Sequence, residues 1–139
     1  MTTMSNGTIT LADITSADWS VKLGTIGAVV QGIDDIDQCI AIILTTPPGS
    51  DPLRPTFGAD LWSYIDNPIS VAIPSIVREV NAAITMWEPR ISLKSVNVSP
   101  AIDSSSQSGA HLNVSVTWQL KLASSSSSRT TVIGIAGGA

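Results

Sequence analysis

The chain is poor in the residues that most often supply chemistry. One cysteine, one histidine, one phenylalanine and one tyrosine occur in 139 residues, and charged residues make up only 13%. A single cysteine, Cys39, excludes an internal disulfide, and its setting in "IDQCIAIIL" predicts a buried small hydrophobe rather than a nucleophile. A single histidine, His111, excludes a histidine-based metal cluster and would force any Ser/His/Asp triad through that one residue. It opens an alternating stretch, so an ordinary strand-end position is expected, and no catalytic residue, metal or cofactor. Seven Lys and Arg are scattered singly against eleven Asp and Glu, a formal charge of −4, and form no basic stripe for a phosphate backbone. Nucleic acid is therefore not an expected partner. No apolar run approaches the ~18 residues that cross a bilayer, and "MTTMSNGTIT" has neither the basic nor the apolar region of a signal peptide. No membrane partner is expected, and the chain is expected to be made and kept in a cytoplasm.

What the chain does have is apolar surface. Hydrophobic residues reach 43% and the mean hydropathy is +0.30, so polar side chains cover little of a domain this small. This favours a component of an assembly, part of whose apolar surface a partner covers. The length fits one domain. Its expected parts are an N-terminal extension over 1–29, a core over 30–100 and a C-terminal β region over 101–139.

Along the chain the hydrophobic period changes twice. "TIGAVVQG" predicts a short extended segment between glycines. Ile33, Ile36, Ile40 and Ile43 or Leu44 then recur every three or four residues, the stripe of an amphipathic helix. Asp34, Asp35 and Asp37 lie in its first turn, where the helix dipole favours carboxylates, and are expected to be solvated. "TTPPGSDP" stops that helix, and 48–68 reads as an ordered loop pinned by Phe57, Leu61 and Trp62. In the second helix Ile69, Ile73, Ile76, Val77, Val80, Ile84 and Trp87 share a face. Pro74 is expected at its first position and Pro89 marks its end.

Beyond Arg90 the period becomes two. Ile91 and Leu93 have one parity and Val96 and Val98 the other, which predicts a bulge near Lys94 and Ser95. "HLNVSVTWQLKL" is the clearest strand, with Leu112, Val114, Val116, Trp118, Leu120 and Leu122 alternating with polar residues. "DSSSQSGA" and "SSSSSR" read as connections, and "TTVIGIAG", with Val132, Ile133 and Ile135, supplies a further strand. The fold class is α+β: two main helices packed on a C-terminal antiparallel β-sheet or hairpin.

Three of these pieces, in this order and spacing, resemble a known family. They are the acidic helix "DDIDQCIAIIL" running into Thr45, Thr46 and Gly49, then "RPTFG" at 54–58, then "WEPRI" at 87–91. Together they resemble the baseplate wedge, sheath-initiator proteins of contractile phage tails, the gene 25 and gene W family, over about residues 30–100. The resemblance implies a small α+β protein present in six copies in the inner baseplate of the virion tail. Its implied partners are baseplate wedge proteins and the first ring of tail sheath, with tube or hub proteins as further contacts. Carried to matching positions, Glu88, Pro89 and Arg90 would bind wedge proteins, with Arg54, Pro55, Phe57 and Gly58 shaping the neighbouring surface. Sheath contact would fall to the last strands, through Leu112, Val114, Val116, Trp118, Leu120, Val132, Ile133 and Ile135. Residues 1–29 match nothing in the family, and some of its bacterial members are anti-adapters that bind a proteolysis adaptor.

Members of the family often carry a lysozyme-like label, so an enzymatic reading has to be weighed. Glycoside hydrolysis generally uses two carboxylates within about 5–10 Å of each other. Glu88 is a candidate, with Asp60, Asp66 or Glu79 as a second, but Glu79 lies nine residues earlier on the same helix, ~13 Å along its axis. A binding role suits Glu88 and Arg90 better, because Pro89 restricts the backbone between them and leaves little freedom to lose on association. From the residues alone, pairing of Glu88 and Arg90 inside their own domain, to fix the helix-to-strand corner, stays open beside partner contact. The last strand offers a second surface, since an unpaired strand edge is a template for a strand from another chain.

Overall fold

The computed structural model describes residues 11–101, 111–122 and 128–136; "DSSSQSGA" and most of "SSSSSR" lie outside them. The chain divides into two compact units, Met1–Cys39 and Ile40–Ala139.

In the first unit, β1 (Trp19–Val21) pairs antiparallel with β2 (Val29–Gln31), Ser20 standing opposite Val30. The second of these strands was expected from the sequence and the first was not. A two-stranded ribbon is marginal by itself, and two glutamines reinforce it. The Gln31 side-chain carbonyl accepts the backbone N–H groups of Thr15 and Ser16 at 3.0 and 3.1 Å. Gln38 accepts the Leu23 N–H at 3.0 Å and donates to Ser20 Oγ and the Val21 carbonyl at 3.0 and 2.8 Å. Gln38 belongs to α1 (Ile33–Thr45), so the helix holds the ribbon.

The apolar stripe of α1 is as expected at Ile36, Ile40, Ile43 and Leu44, all buried, while Ile33 in the first turn is exposed. Two expectations here are corrected. Asp35 is not solvated but 3% exposed, and Cys39 is half-buried rather than buried. At the helix end the hydroxyls of Thr45 and Thr46 donate to the carbonyls of Ala41 and Ile42 at 2.7 and 2.6 Å, and the Ile42 carbonyl also accepts the Thr46 N–H at 3.1 Å.

In the second unit, α2 (Ile69–Trp87) lies against β3 (Ile91–Ala101), and the sheet continues through β4 (His111–Leu120) to β5 (Arg129–Ala136), antiparallel throughout, in the order β3-β4-β5. The helix begins at Ile69, with Pro68 as its N-cap, so Pro74 sits inside it rather than at its first position. The missing N–H of Pro74 would have reached the carbonyl of Ser70, and Ser70 is exposed, so water can take that acceptor. By length and composition α2 could cross a membrane, yet it buries Ala72, Ile76, Val80, Ala83 and Ile84 as a core helix does, and Arg78 and Glu79 sit at its middle.

The bulge falls where the parity switch put it. Leu93 pairs with Trp118 and Ser95 with Thr117, leaving Lys94 as the extra residue, and Ile91 and Val98 are consequently both buried. Strand β4 buries Leu112, Val114, Val116 and Trp118, and the Trp118 indole N–H donates to Thr131 Oγ1 at 2.9 Å, so this buried ring keeps its polar atom satisfied. The strand ends at Leu120; Lys121 and Leu122 form a turn, and Leu122 is 98% exposed rather than a strand residue. In the 48–68 loop Phe57 and Leu61 are buried pins, but Trp62, on a 3-10 turn, is 40% exposed.

Candidate functional site

Where α2 meets β3 the chain makes a tight corner. Glu88 ends the helix: its N–H reaches the Ile84 carbonyl at 2.9 Å, while its own φ of −124° and ψ of 75° have left the helical region, as a residue before proline is driven to do. Two residues on, the Arg90 carbonyl accepts the Lys121 N–H at 3.1 Å, so the far side of the corner is tied to the end of β4. Between these anchors Glu88 and Arg90 form a fork. Arg90 Nε donates to Glu88 Oε1 at 2.7 Å and Nη2 to Oε2 at 2.8 Å. The Glu88 side chain is 3% exposed and that of Arg90 31%.

This is the intradomain pairing that the sequence left open. A planar guanidinium engages both oxygens of a buried carboxylate, which both satisfies the acid and fixes the direction of the base. With both oxygens engaged and the side chain enclosed, Glu88 is not presented to a substrate from solution, nor directly to a partner.

The second segment, "RPTFG", is brought to this corner by aromatic contact. Phe57 and Trp87 meet edge to face with ring centroids 5.1 Å apart, a favoured arrangement of ring quadrupoles. On Phe57 lies the Arg54 guanidinium, 4.3 Å from the centroid. Arg54 is in turn held by Asp51, whose Oδ2 accepts Nε at 2.9 Å. The Leu53 N–H bonded to Asp51, and then Arg54, hold the Asp51 carboxyl below the usual range. Gly58 closes the segment at a φ of +112°, where an added Cβ would run into the Thr46 carbonyl; that carbonyl also accepts the Ala59 N–H at 3.0 Å. Only glycine fits both conditions.

Arg54, Phe57 and Trp87 thus form one run of contacts between segments about thirty residues apart, and the Glu88 and Arg90 pair adjoins it along the backbone at Trp87. Arg54, Pro55 and Pro89 are exposed and Arg90 is partly so, whereas Phe57, Gly58 and Glu88 are buried. Asp51 and Trp87 were not singled out for this surface by sequence reasoning. Asp51 carries a local signal, an acid three residues before an arginine, but the packing of Trp87 on Phe57 has none.

The strand residues divide in the same way. Leu112, Val114, Val116, Trp118, Ile133 and Ile135 are buried, Leu120 is half-buried, and Val132 is 60% exposed. The core-facing members of this set are therefore turned into the domain, and Val132 alone of the set is exposed.

Helix, clamped corner and antiparallel sheet define a small α+β domain. The chain belongs to the family of baseplate wedge protein gp25, whose model matches residues 30–124. It is 36% identical over 78 residues to baseplate protein W of Escherichia phage P2, covering 55% of this chain and 68% of that protein. To baseplate wedge protein gp25 of Enterobacteria phage T4 it is 34% identical over 73 residues, 52% of this chain and 55% of that one. A crystal structure from Geobacter sulfurreducens, of a protein that carries the name tail lysozyme, superposes with a TM-score of 0.64 at 29% identity, over 76% of this chain and 91% of the other.

Proposed function

We propose that this protein is a structural component of a contractile-tail baseplate, six copies to the ring, assembled in the host cytoplasm and retained in the virion tail. Its surface at the helix-to-strand corner binds wedge proteins. One observation carries this reading: the Phe57 and Trp87 contact unites the two family segments into a single patch whose buried members fix its exposed ones. Glu88 acts from within, holding Arg90 in place, while Arg54, Pro55, Pro89 and the outer edge of Arg90 meet the partner. A patch held this way loses little conformational entropy on binding.

The sheet contributes a second contact, initiation of the sheath by strand addition at β5. Its two edges differ. Strand β3 carries a bulge at Lys94 and a proline, Pro100, which has no N–H to donate, and both features discourage pairing with a further strand. Strand β5 contains neither proline nor bulge, and its one charge, Arg129, is at its start. Among the described residues its only strand neighbour is β4.

The experiment is co-assembly with the wedge proteins of the same tail. The Arg54 side chain is 55% exposed, so Arg54→Glu empties no core position and reverses the charge of the patch; since it also gives up the Asp51 bond and the Phe57 contact, its folding is checked by calorimetry. Loss of the variant from purified wedge complexes is expected; its normal incorporation would overturn the corner as the wedge-binding surface.

A further inference from the structure

Beside the corner, between the loop after α1 and the C-terminal half of α2, lies a groove of about 170 Å³ that the reading above does not use. Glu79, Ala82, Ala83, Met86 and Trp87 line it from the helix, at spacings that place them on one stripe. From Glu79 to Met86 the stripe runs ~10 Å. Its ends differ in chemistry: a carboxylate at Glu79, an apolar pair at Met86 and Trp87, and two alanines between them that keep the floor low. From the loop, Asp60 adds a second carboxylate.

Among the described residues no cation pairs with Asp60, and Glu79 has only the loosely held Arg78. Asp60 accepts the neutral hydroxyl of Ser63 at 2.7 and 2.9 Å, and Glu79 meets Arg78 at 3.5 Å, with that arginine side chain 72% exposed and free to swing away. Met86 is 65% exposed, a flexible and polarisable apolar side chain left in water at the end of the groove. An acidic occupant would be repelled here, and an apolar one would strip water from two carboxylates without replacing their hydrogen bonds. A long side chain with an apolar stem and a cationic tip matches both ends. Between the two cations, a guanidinium carries donors in several directions and is less strongly hydrated than an ammonium, so it is the better bridge between carboxylates from separate elements.

We propose that this groove receives an arginine side chain of a neighbouring baseplate protein, its stem over Ala82 and Ala83 and its guanidinium on Asp60 and Glu79. The inference rests on the baseplate reading for the source of that arginine, but the groove's own preference can be measured without a tail. The full chain, isotopically labelled, is titrated in NMR with acetyl-Ala-Arg-Ala-amide and with the same peptide carrying citrulline, a neutral near-isostere of arginine. Saturable shifts of the Ala82 and Ala83 methyls and the Trp87 indole N–H are expected with the arginine peptide, and binding about tenfold weaker with citrulline. Asp60→Asn combined with Glu79→Gln abolishes the preference, with resonances away from the groove unmoved. Equal binding of the two peptides, no shift at these three residues, or a preference that survives in the double variant would overturn the proposal. An absent preference together with loss of Arg54→Glu from wedge complexes would sink the groove alone. A preference present while Arg54→Glu assembles normally would sink the corner alone.

Discussion

The corner is the point at which geometry makes the sharpest demand on stability, and it makes that demand asymmetrically. Glu88 is 3% exposed and its two oxygens accept from Arg90 at 2.7 and 2.8 Å, whereas the Arg90 side chain remains 31% exposed. Replacing Arg90 with Met keeps most of the aliphatic stem but leaves a buried carboxylate without its cation, a situation that costs about 3–5 kcal/mol. Replacing Glu88 with Gln keeps the shape and one acceptor, and the charge left behind can reach water, so the cost is about 1–2 kcal/mol. At roughly 2–4 °C per kcal/mol for a domain of this size, Arg90→Met lowers Tm by some ten degrees and Glu88→Gln by only a few. The double change Glu88→Leu with Arg90→Met removes both charges and lies between wild type and Arg90→Met, since an apolar pair requires no solvation. Urea unfolding with unchanged m-values, in parallel with calorimetry, measures all three. If Glu88→Gln proves as costly as Arg90→Met, or if the double variant is less stable than either, the buried carboxylate is not what fixes this corner.

Three further outcomes follow from single positions. Gly58→Ala combines a φ of +112° with a Cβ driven into the Thr46 carbonyl; a loss of at least about 2 kcal/mol in urea unfolding is expected. Val132→Lys, on an outward position that is 60% exposed, changes stability by less than about 0.5 kcal/mol, yet puts a charge on β5, whose only strand neighbour among the described residues is β4. Baseplates carrying it are expected to complete their wedges and grow no sheath by electron microscopy, and normal sheaths would remove β5 as the initiating strand. The Asp51 carboxyl is held below its ordinary value of 3.8, first by the Leu53 N–H and then by Arg54. The small stabilisation it gives is therefore present above that ordinary value and lost as pH falls through its lower folded one. Upfield shifts of the Arg54 side-chain protons over the Phe57 ring are expected to persist at pH 5 and to weaken below pH 3.8; shifts already lost at pH 5 would show that Asp51 does not hold this contact.

Much of the fold was legible because its signals are local. The parity switch between Leu93 and Val96 has one cheap resolution, a single extra residue, and Lys94 supplies it. The alternation from Leu112 to Trp118 reports a strand with one face in the core, and that face is buried. The misreadings share a cause: each depended on what stands opposite a residue. Leu122 continues the alternation perfectly but has no partner strand beyond Ile91 and Leu120, so it turns into solvent. Pro74 looks like a first-turn proline until Pro68 is seen to open the helix one and a half turns earlier, where the exposed Ser70 carbonyl tolerates the missing donor.

The site shows the same division more sharply. "WEPRI" and "RPTFG" can each be picked out along the chain, and their types suggest a rigid charged surface, but nothing in their spacing says which members face outward. A glutamate and an arginine flanking a proline look equivalent in sequence. Burial then makes one the anchor and leaves the other partly at the surface: Glu88 caps the end of α2, while Arg90 sits in the turn just before the edge strand. The consequence for function is a change of roles within an unchanged set of residues. Under the proposed wedge contact, Glu88 and Phe57 act through what they hold, so conservative replacements there are expected to disturb binding only as far as they release Arg90 or Arg54. Under the same contact, replacements of Arg54, Pro55 or Pro89 act on the partner directly, and a change at Arg54 also removes its bond to Asp51 and its contact with Phe57.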